Sequence, residues 1–104
     1  MPLLHAGVTL APLDADHLRA RVSNPAAGAV TCFLGQIRDH DPEARGTVTG
    51  IEYTAHPDAD AIIATVVTRV LAEGDAAGVA HVAAVHRIGT LAVGDLALVV
   101  CVAT

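Results

Sequence analysis

The sequence predicts an α+β fold, with segments in the order β-α-β-β-α-β-β and a mixed or antiparallel sheet. Three observations lead there. Two apolar runs, residues 29–34 and 96–103, have the length and composition of buried strands. A clean i, i+3, i+4 stripe of Ala59, Ile62, Ile63, Val66, Val67, Val70 and Leu71 marks an amphipathic helix. Clusters of Pro, Gly, Asn and Asp separate the periodic segments. At 104 residues the chain is expected to form a single domain over residues 1–104, and a domain of this size buries roughly two-thirds of the surface of its unfolded chain.

In chain order, residues 5–10 alternate weakly and form a short first strand. Asp14 is a good N-cap, and Leu13, Leu18 and Val22 lie near helical spacing, so residues 15–22 read as a short helix that Ser23-Asn24-Pro25 ends. The run 29–34 is the second strand, expected to be buried on both faces. Residues 39–46 are a polar connection. The third strand covers 48–54, with Val48, Gly50, Glu52 and Thr54 on one face and Thr49, Ile51 and Tyr53 on the other. Asp58 or Asp60 caps the long helix, which runs to about Glu73 and ends at Gly74 or Gly78. Its β-branched content lowers its propensity, so packing against a sheet has to hold it. Residues 79–87 form a strand whose His81 and His86 fall on opposite faces. Residues 88–95 read as a glycine-punctuated connection, and 96–103 as a last, wholly apolar strand that needs cover on both faces.

Composition narrows the function. The net charge is −5, which argues against a nucleic-acid surface. Phe33 and Tyr53 are the whole aromatic complement, so stacking platforms for single strands are lacking. Every basic residue is Arg (Arg19, Arg21, Arg38, Arg45, Arg69, Arg87), so no lysine in these residues acts as base, nucleophile or point charge. Cys32 and Cys101 sit in apolar runs without knuckle spacing and read as buried free thiols, consistent with a reducing cytoplasm. No signal peptide is expected at the N-terminus. The longest apolar run is too short to span a bilayer as a helix, so no membrane partner is expected.

The stretch most suited to chemistry is 28–40, G-A-V-T-C-F-L-G-Q-I-R-D-H. An apolar strand ends there in Gln36, Ile37, Arg38, Asp39 and His40, and a rigid strand holds the polar groups at its exit. The same residues are equally the solvated start of a loop. His40 with Asp39 and Asp41 forms a His/Asp cluster, but hard cations need more oxygen ligands and zinc a fuller His/Cys set. His86-Arg87 closes a strand at a cleft edge or as a satisfied strand end. Ser23 is the sole serine and lies in no nucleophile elbow. Cys32 is mid-strand, where thiols are usually inert, and no phosphate-cradling glycine loop occurs.

Three motifs in fixed order add to this reading. They are 28–40 as above, I-E-Y-T-A-H-P at 51–57, and H-R-I-G-T-L-A-V-G-D at 86–95. Together they resemble the catalytic, large subunit of molybdopterin synthase, over nearly the whole chain from Gly28 onward. The resemblance implies an α/β hammerhead fold and a homodimer. It also implies a ubiquitin-like small-subunit partner whose C-terminal Gly-Gly thiocarboxylate enters a pocket. Two sulfurs would pass to cyclic pyranopterin monophosphate to give molybdopterin, with no cofactor or metal for this step. Carried over by position, Arg38 is the pocket arginine, catalytic and substrate-binding, with Gln36 and Ile37 beside it. His40, His86 and Arg87 are expected at the pocket edge, and Gly89 and Gly94 at turns. A guanidinium grips phosphate in bidentate fashion and stabilises the oxyanion formed when a thiocarboxylate carbon is attacked.

The resemblance also implies a further segment after the last strand, carrying a long helix and two pocket lysines. The absence of lysine and the apolar strand reaching Ala103 lead to the expectation that this segment is missing and that the chain alone lacks turnover. Two other readings stand beside the enzyme. One is a non-catalytic interaction module that self-associates through the exposed last strand and binds the small subunit. The other is a small metal-binding protein using His40.

Overall fold

The computed structural model describes residues 3–40, 46–74 and 79–104. A four-stranded sheet has the order β1-β4-β6-β2, built from β1 (Leu4–Thr9), β2 (Val30–Gln36), β4 (His81–Arg87) and β6 (Leu96–Ala103). β1 runs parallel to β4, and β6 is antiparallel to both β4 and β2, so the sheet is mixed. A second, two-stranded antiparallel sheet joins β3 (Gly50–Tyr53) to β5 (Gly89–Ala92).

The helices cover opposite faces of the large sheet. α1 (Ala15–Val22) begins as expected: the Asp14 carboxylate accepts the His17 N–H at 3.1 Å. Leu18 and Val22 face inward and pack with Ala83, Val85, Val99, Cys101 and Ala103. The alternate residues Val82 and Ala84, with Ala80, form the other core, against Ala6, Val67, Leu71, Val100 and Val102. The strand period of two thus splits β4 and β6 between two cores.

α2 (Ala59–Glu73) is anchored mainly over β1. Asp58 occupies the N-cap position without a side-chain cap bond. Asp60 instead reaches across to β1, where its Oδ1 accepts the Val8 N–H at 2.7 Å. A Cβ at Gly7 would collide with that carboxylate, which ties the small residue to the tether. The apolar stripe is wider than the sheet beneath it. Ile63, Val67 and Leu71 are half-buried, while Ile62, Val66 and Val70 remain 48%, 53% and 60% exposed.

Three expectations are corrected. The strand 29–34 is not buried on both faces. β2 is an edge strand that, among the described residues, pairs with β6 alone, and Val30, Phe33 and Leu34 are exposed. The last strand is not an exposed edge. β6 lies between β4 and β2, with one face fully buried and the other half-buried, so self-association by edge pairing through it is not available. The connection 88–95 contains a strand, β5, which is short and finds its partner β3 far away in sequence, beyond what periodicity detects. Gly78, one of the two expected helix ends, lies outside the described residues; α2 ends at Gly74.

Candidate functional site

β2 delivers its polar exit by a local irregularity. Its register with β6 shifts between Gly35 and Gln36, where Gln36 pairs with Leu96 and Ala97 is skipped. Such a bulge re-aims the chain that follows. Ile37 then acts as an anchor: its side chain is buried with Leu91 and Ala97, and its backbone is held on both sides. The Ile37 N–H donates to the Asp95 carbonyl at 3.0 Å, and the Ile37 carbonyl accepts the Gly94 N–H at 2.9 Å. Gln36 and Arg38 flank this anchor and are exposed.

The third motif builds the support. Asp95 Oδ2 accepts the Ala92 N–H at 2.9 Å and lies 3.4 Å from Arg87 Nη1. Arg87 Nε donates to the Leu10 carbonyl at 3.4 Å. Gly94 has φ +90°, a left-handed conformation that other residues enter only at a cost. The segment H-R-I-G-T-L-A-V-G-D thus runs from the end of β4 through β5 into a hydrogen-bonded turn, residues 92–95, that grips the exit of β2.

Between these supports lies a cavity of about 330 Å³, lined by Gln36, Ile37, Arg38, His40, Val48, Ile51 and Tyr53. That volume is at the lower end of the range for small-molecule sites. Four residues expected from sequence, Gln36, Ile37, Arg38 and His40, thus meet at one place. His86 lies behind it: its ring meets Tyr53 edge-on, with centroids 4.8 Å apart. His86 Nδ1 is 2.7 Å from the Arg87 carbonyl, and since a carbonyl only accepts, Nδ1 carries the proton of that bond. Arg87 is not in the cavity lining; its guanidinium serves the turn at Asp95 and the Leu10 carbonyl. His40 and Asp39 form an exposed pair at 3.5 Å, of a kind that contributes little. Asp41, the third member of the suspected metal cluster, lies outside the described residues. Among the described residues no group of three or more His, Cys, Asp or Glu is arranged to hold a metal ion.

Tyr53, Ile51 and Val48 complete the lining, and the sequence pattern does not mark them as site residues. The signal was there in part: Ile51 and Tyr53 share a strand face inside the second motif. A further cavity of about 420 Å³ lies along the free edge of β1, beside His5, Asp14, His17, Arg21 and Asp60. Nothing in the sequence pattern pointed to it. Among the described residues, no helix is long and apolar enough to cross a membrane.

The chain is similar to known proteins of one kind. The catalytic subunit 1 of molybdopterin synthase from Mycobacterium tuberculosis is 37% identical over 89 residues, covering 86% of this chain and 58% of the relative. The molybdopterin synthase catalytic subunit of Bacillus subtilis is 29% identical over 98 residues, covering 93% of this chain and 59% of the relative. The chain thus spans little more than half the length of the curated relatives it matches. Among solved structures, molybdopterin synthase from Staphylococcus aureus superposes with a TM-score of 0.81 at 24% identity, over 95% of this chain and 69% of that one, a likeness of fold. The molybdopterin biosynthesis MoaE protein of Burkholderia ambifaria gives 0.67 at 28% identity, over 100% of this chain and 65% of that one. The expected α+β hammerhead-like architecture is the one these neighbours share. With residues 8–104 matched by the model of the family described as MoaE protein, the chain belongs to that family.

Proposed function

We propose that this chain is the large-subunit part of a sulfurtransferase of molybdenum cofactor biosynthesis, and that the cavity at the β2 exit receives cyclic pyranopterin monophosphate. One observation carries the reading: Gln36, Arg38 and His40 converge with Tyr53 on a single cavity, in a chain whose relatives are molybdopterin synthase catalytic subunits. Arg38 holds the substrate phosphate through two parallel N–H···O bonds. The thiocarboxylated tail of a ubiquitin-like small subunit gives its sulfur to the pyranopterin and ends as a carboxylate, water supplying the oxygen at the attacked carbon, and the guanidinium steadies the oxyanion so formed. Gln36 and His40 supply further hydrogen bonds at the rim. Homodimerisation and a cytoplasmic location accompany this reading, as does a single domain over residues 1–104. These residues contain no lysine, so on this reading they bind substrate but do not complete the turnover for which the family's lysines are needed.

The test is conversion of the pyranopterin by the full-length protein with thiocarboxylated small subunit. Arg38→Ala is expected to lower it by on the order of 10²–10³-fold, and Arg38→Lys to restore only part. Unchanged conversion in Arg38→Ala removes Arg38 from the site.

A second reading, a non-catalytic module that dimerises and binds the small subunit, is favoured by the apolar surface of β2, where Phe33 is 61% exposed. It predicts self-association and small-subunit binding with no turnover, in a protein whose full reading frame adds no lysine.

A further inference from the structure

Cys32 and Cys101 are the two cysteines of the chain. They stand directly opposite each other on β2 and β6, with both thiols free and the sulfurs 2.9 Å apart. Their place in the ladder follows from its end. Ala29 and Thr104 exchange both backbone hydrogen bonds, at 3.1 and 3.0 Å. Bonded and non-bonded pairs alternate along an antiparallel ladder, and Cys32 with Cys101 is the third pair beyond Ala29 with Thr104. It is therefore a non-bonded pair, the closer kind, with Cα atoms about 4.5 Å apart. That spacing lies within the range a disulfide bridges, at its short end, and an S–S bond of about 2.0 Å asks the two sulfurs to approach by less than about 1 Å.

We propose that this pair is an oxidisable dithiol, converted by a low-molecular-weight disulfide into a cross-strand Cys32–Cys101 bridge. The two sulfurs differ in access. Cys101 is fully buried and packs with Leu18, Val22 and Val99, while Cys32 is half-buried on an edge strand. Burial, then the hydrogen bond and charge of Cys32, push the Cys101 thiol up to about 12, against a smaller opposite pull from Arg19. Cys32 is therefore the sulfur that meets the reagent.

Its thiolate attacks one sulfur of the disulfide RSSR, forming a Cys32–S–S–R bond and releasing RS⁻, which takes up the proton Cys32 gave to water. Cys101 then attacks the Cys32 sulfur, and the second RS⁻ leaves with the Cys101 proton. In sum the dithiol loses two electrons and two protons, and RSSR becomes two RSH. The product ties the strand that carries Gln36 to the strand at the middle of the sheet. This inference does not depend on what the cavity at the β2 exit binds.

The experiment treats the reduced, folded wild-type protein with oxidised glutathione and follows free thiols, intact mass and mapped peptides. The expected result is loss of both thiols together, a mass lower by two hydrogens, no link between chains, and a peptide joining Cys32 to Cys101. The thermal midpoint rises by on the order of 10 °C, because the bridge closes a long loop of the unfolded chain. In Cys101→Ser, or in Cys101→Ala where that variant folds better, glutathione remains on Cys32. A stable glutathione adduct on the wild type, an interchain bridge, or intact thiols under conditions that oxidise the urea-unfolded chain would each overturn the proposal.

Discussion

The ring of Tyr53 on β3 meets the ring of His86 on β4 edge-on, at an interplanar angle of 78° and a centroid separation of 4.8 Å. This contact couples the small sheet to the large one beside the cavity, since Tyr53 lines that cavity and His86 closes the strand behind it. Edge-to-face pairs are worth about 0.5–1.5 kcal/mol beyond their buried area. Tyr53→Phe keeps the ring and is expected to leave stability within about 0.5 kcal/mol of wild type. Tyr53→Ala loses it and costs about 2 kcal/mol. Urea unfolding of the two variants checks this; equal midpoints would show that the ring contact carries no stability.

Asp60 and Gly7 are predicted to be coupled. Removing the carboxylate with Asp60→Ala leaves the Val8 N–H on the free edge of β1 to water. The expected cost is about 1 kcal/mol, the usual net worth of such a bond, with faster amide exchange at Val8. Gly7→Ala pushes a methyl group into the same carboxylate and should cost more. In the double variant the collision is gone, so the two losses should sum to more than the double variant shows. A double-mutant cycle reads the difference, and strict additivity would break the link.

Gly94 holds the exit of β2 through its N–H to Ile37 while adopting φ +90°. An alanine there is expected to cost about 1–2 kcal/mol in backbone strain. Asp95→Ala frees the Ala92 N–H and the Arg87 guanidinium at once and should cost about 2 kcal/mol. Both variants are expected to weaken anion binding at Arg38 without altering a cavity side chain. Isothermal titration with inorganic phosphate as the probe reads this effect; wild-type affinity in both would detach the turn from the site.

Alkaline stability should report Cys101. Its thiol holds its proton up to about 12 in the folded chain, against 9.0 as the ordinary value, through burial first and the neighbouring Cys32 second. Between those values the unfolded chain has given up a proton that the folded chain keeps, so the unfolded state binds fewer protons and stability falls as pH rises. The contribution is intact below pH 9 and drains away on the way to 12. The slope is at most about 1.4 kcal/mol per pH unit. Unfolding midpoints measured from pH 8 upward should decline more steeply in wild type than in Cys101→Ala, and parallel curves would contradict the assignment.

Much of this was legible in the residues, and the exceptions have physical causes. The helix at 15–22 was readable to the residue because Asp14 supplies a local cap and Leu18 and Val22 a local period. β6 was readable from its continuous apolar run. What sequence could not show was neighbourhood. Residues 29–34 look like a central strand because Val30, Phe33 and Leu34 are apolar, yet the sheet order leaves them at the edge. β5 is too short for any period and exists because β3 lies beside it. At the candidate site, the strand exit with Gln36, Arg38 and His40 was visible as a motif. Tyr53 joined it only through folding; His86, expected at the pocket edge, stands behind the cavity against Tyr53, and Arg87, similar in type to Arg38, is occupied by Asp95.

The order of the sheet also sets an order in time. β2 is made early, but its one strand partner among the described residues is β6, which ends at Ala103. During synthesis, therefore, an apolar strand with Phe33 and Leu34 on it leaves the ribosome unpaired and must wait until β6 follows. The parallel pair β1–β4 waits nearly as long. A sheet whose inner strand β6 is made after its edge strands β1 and β2 pairs late, and its unfinished form offers other chains an open, sticky edge.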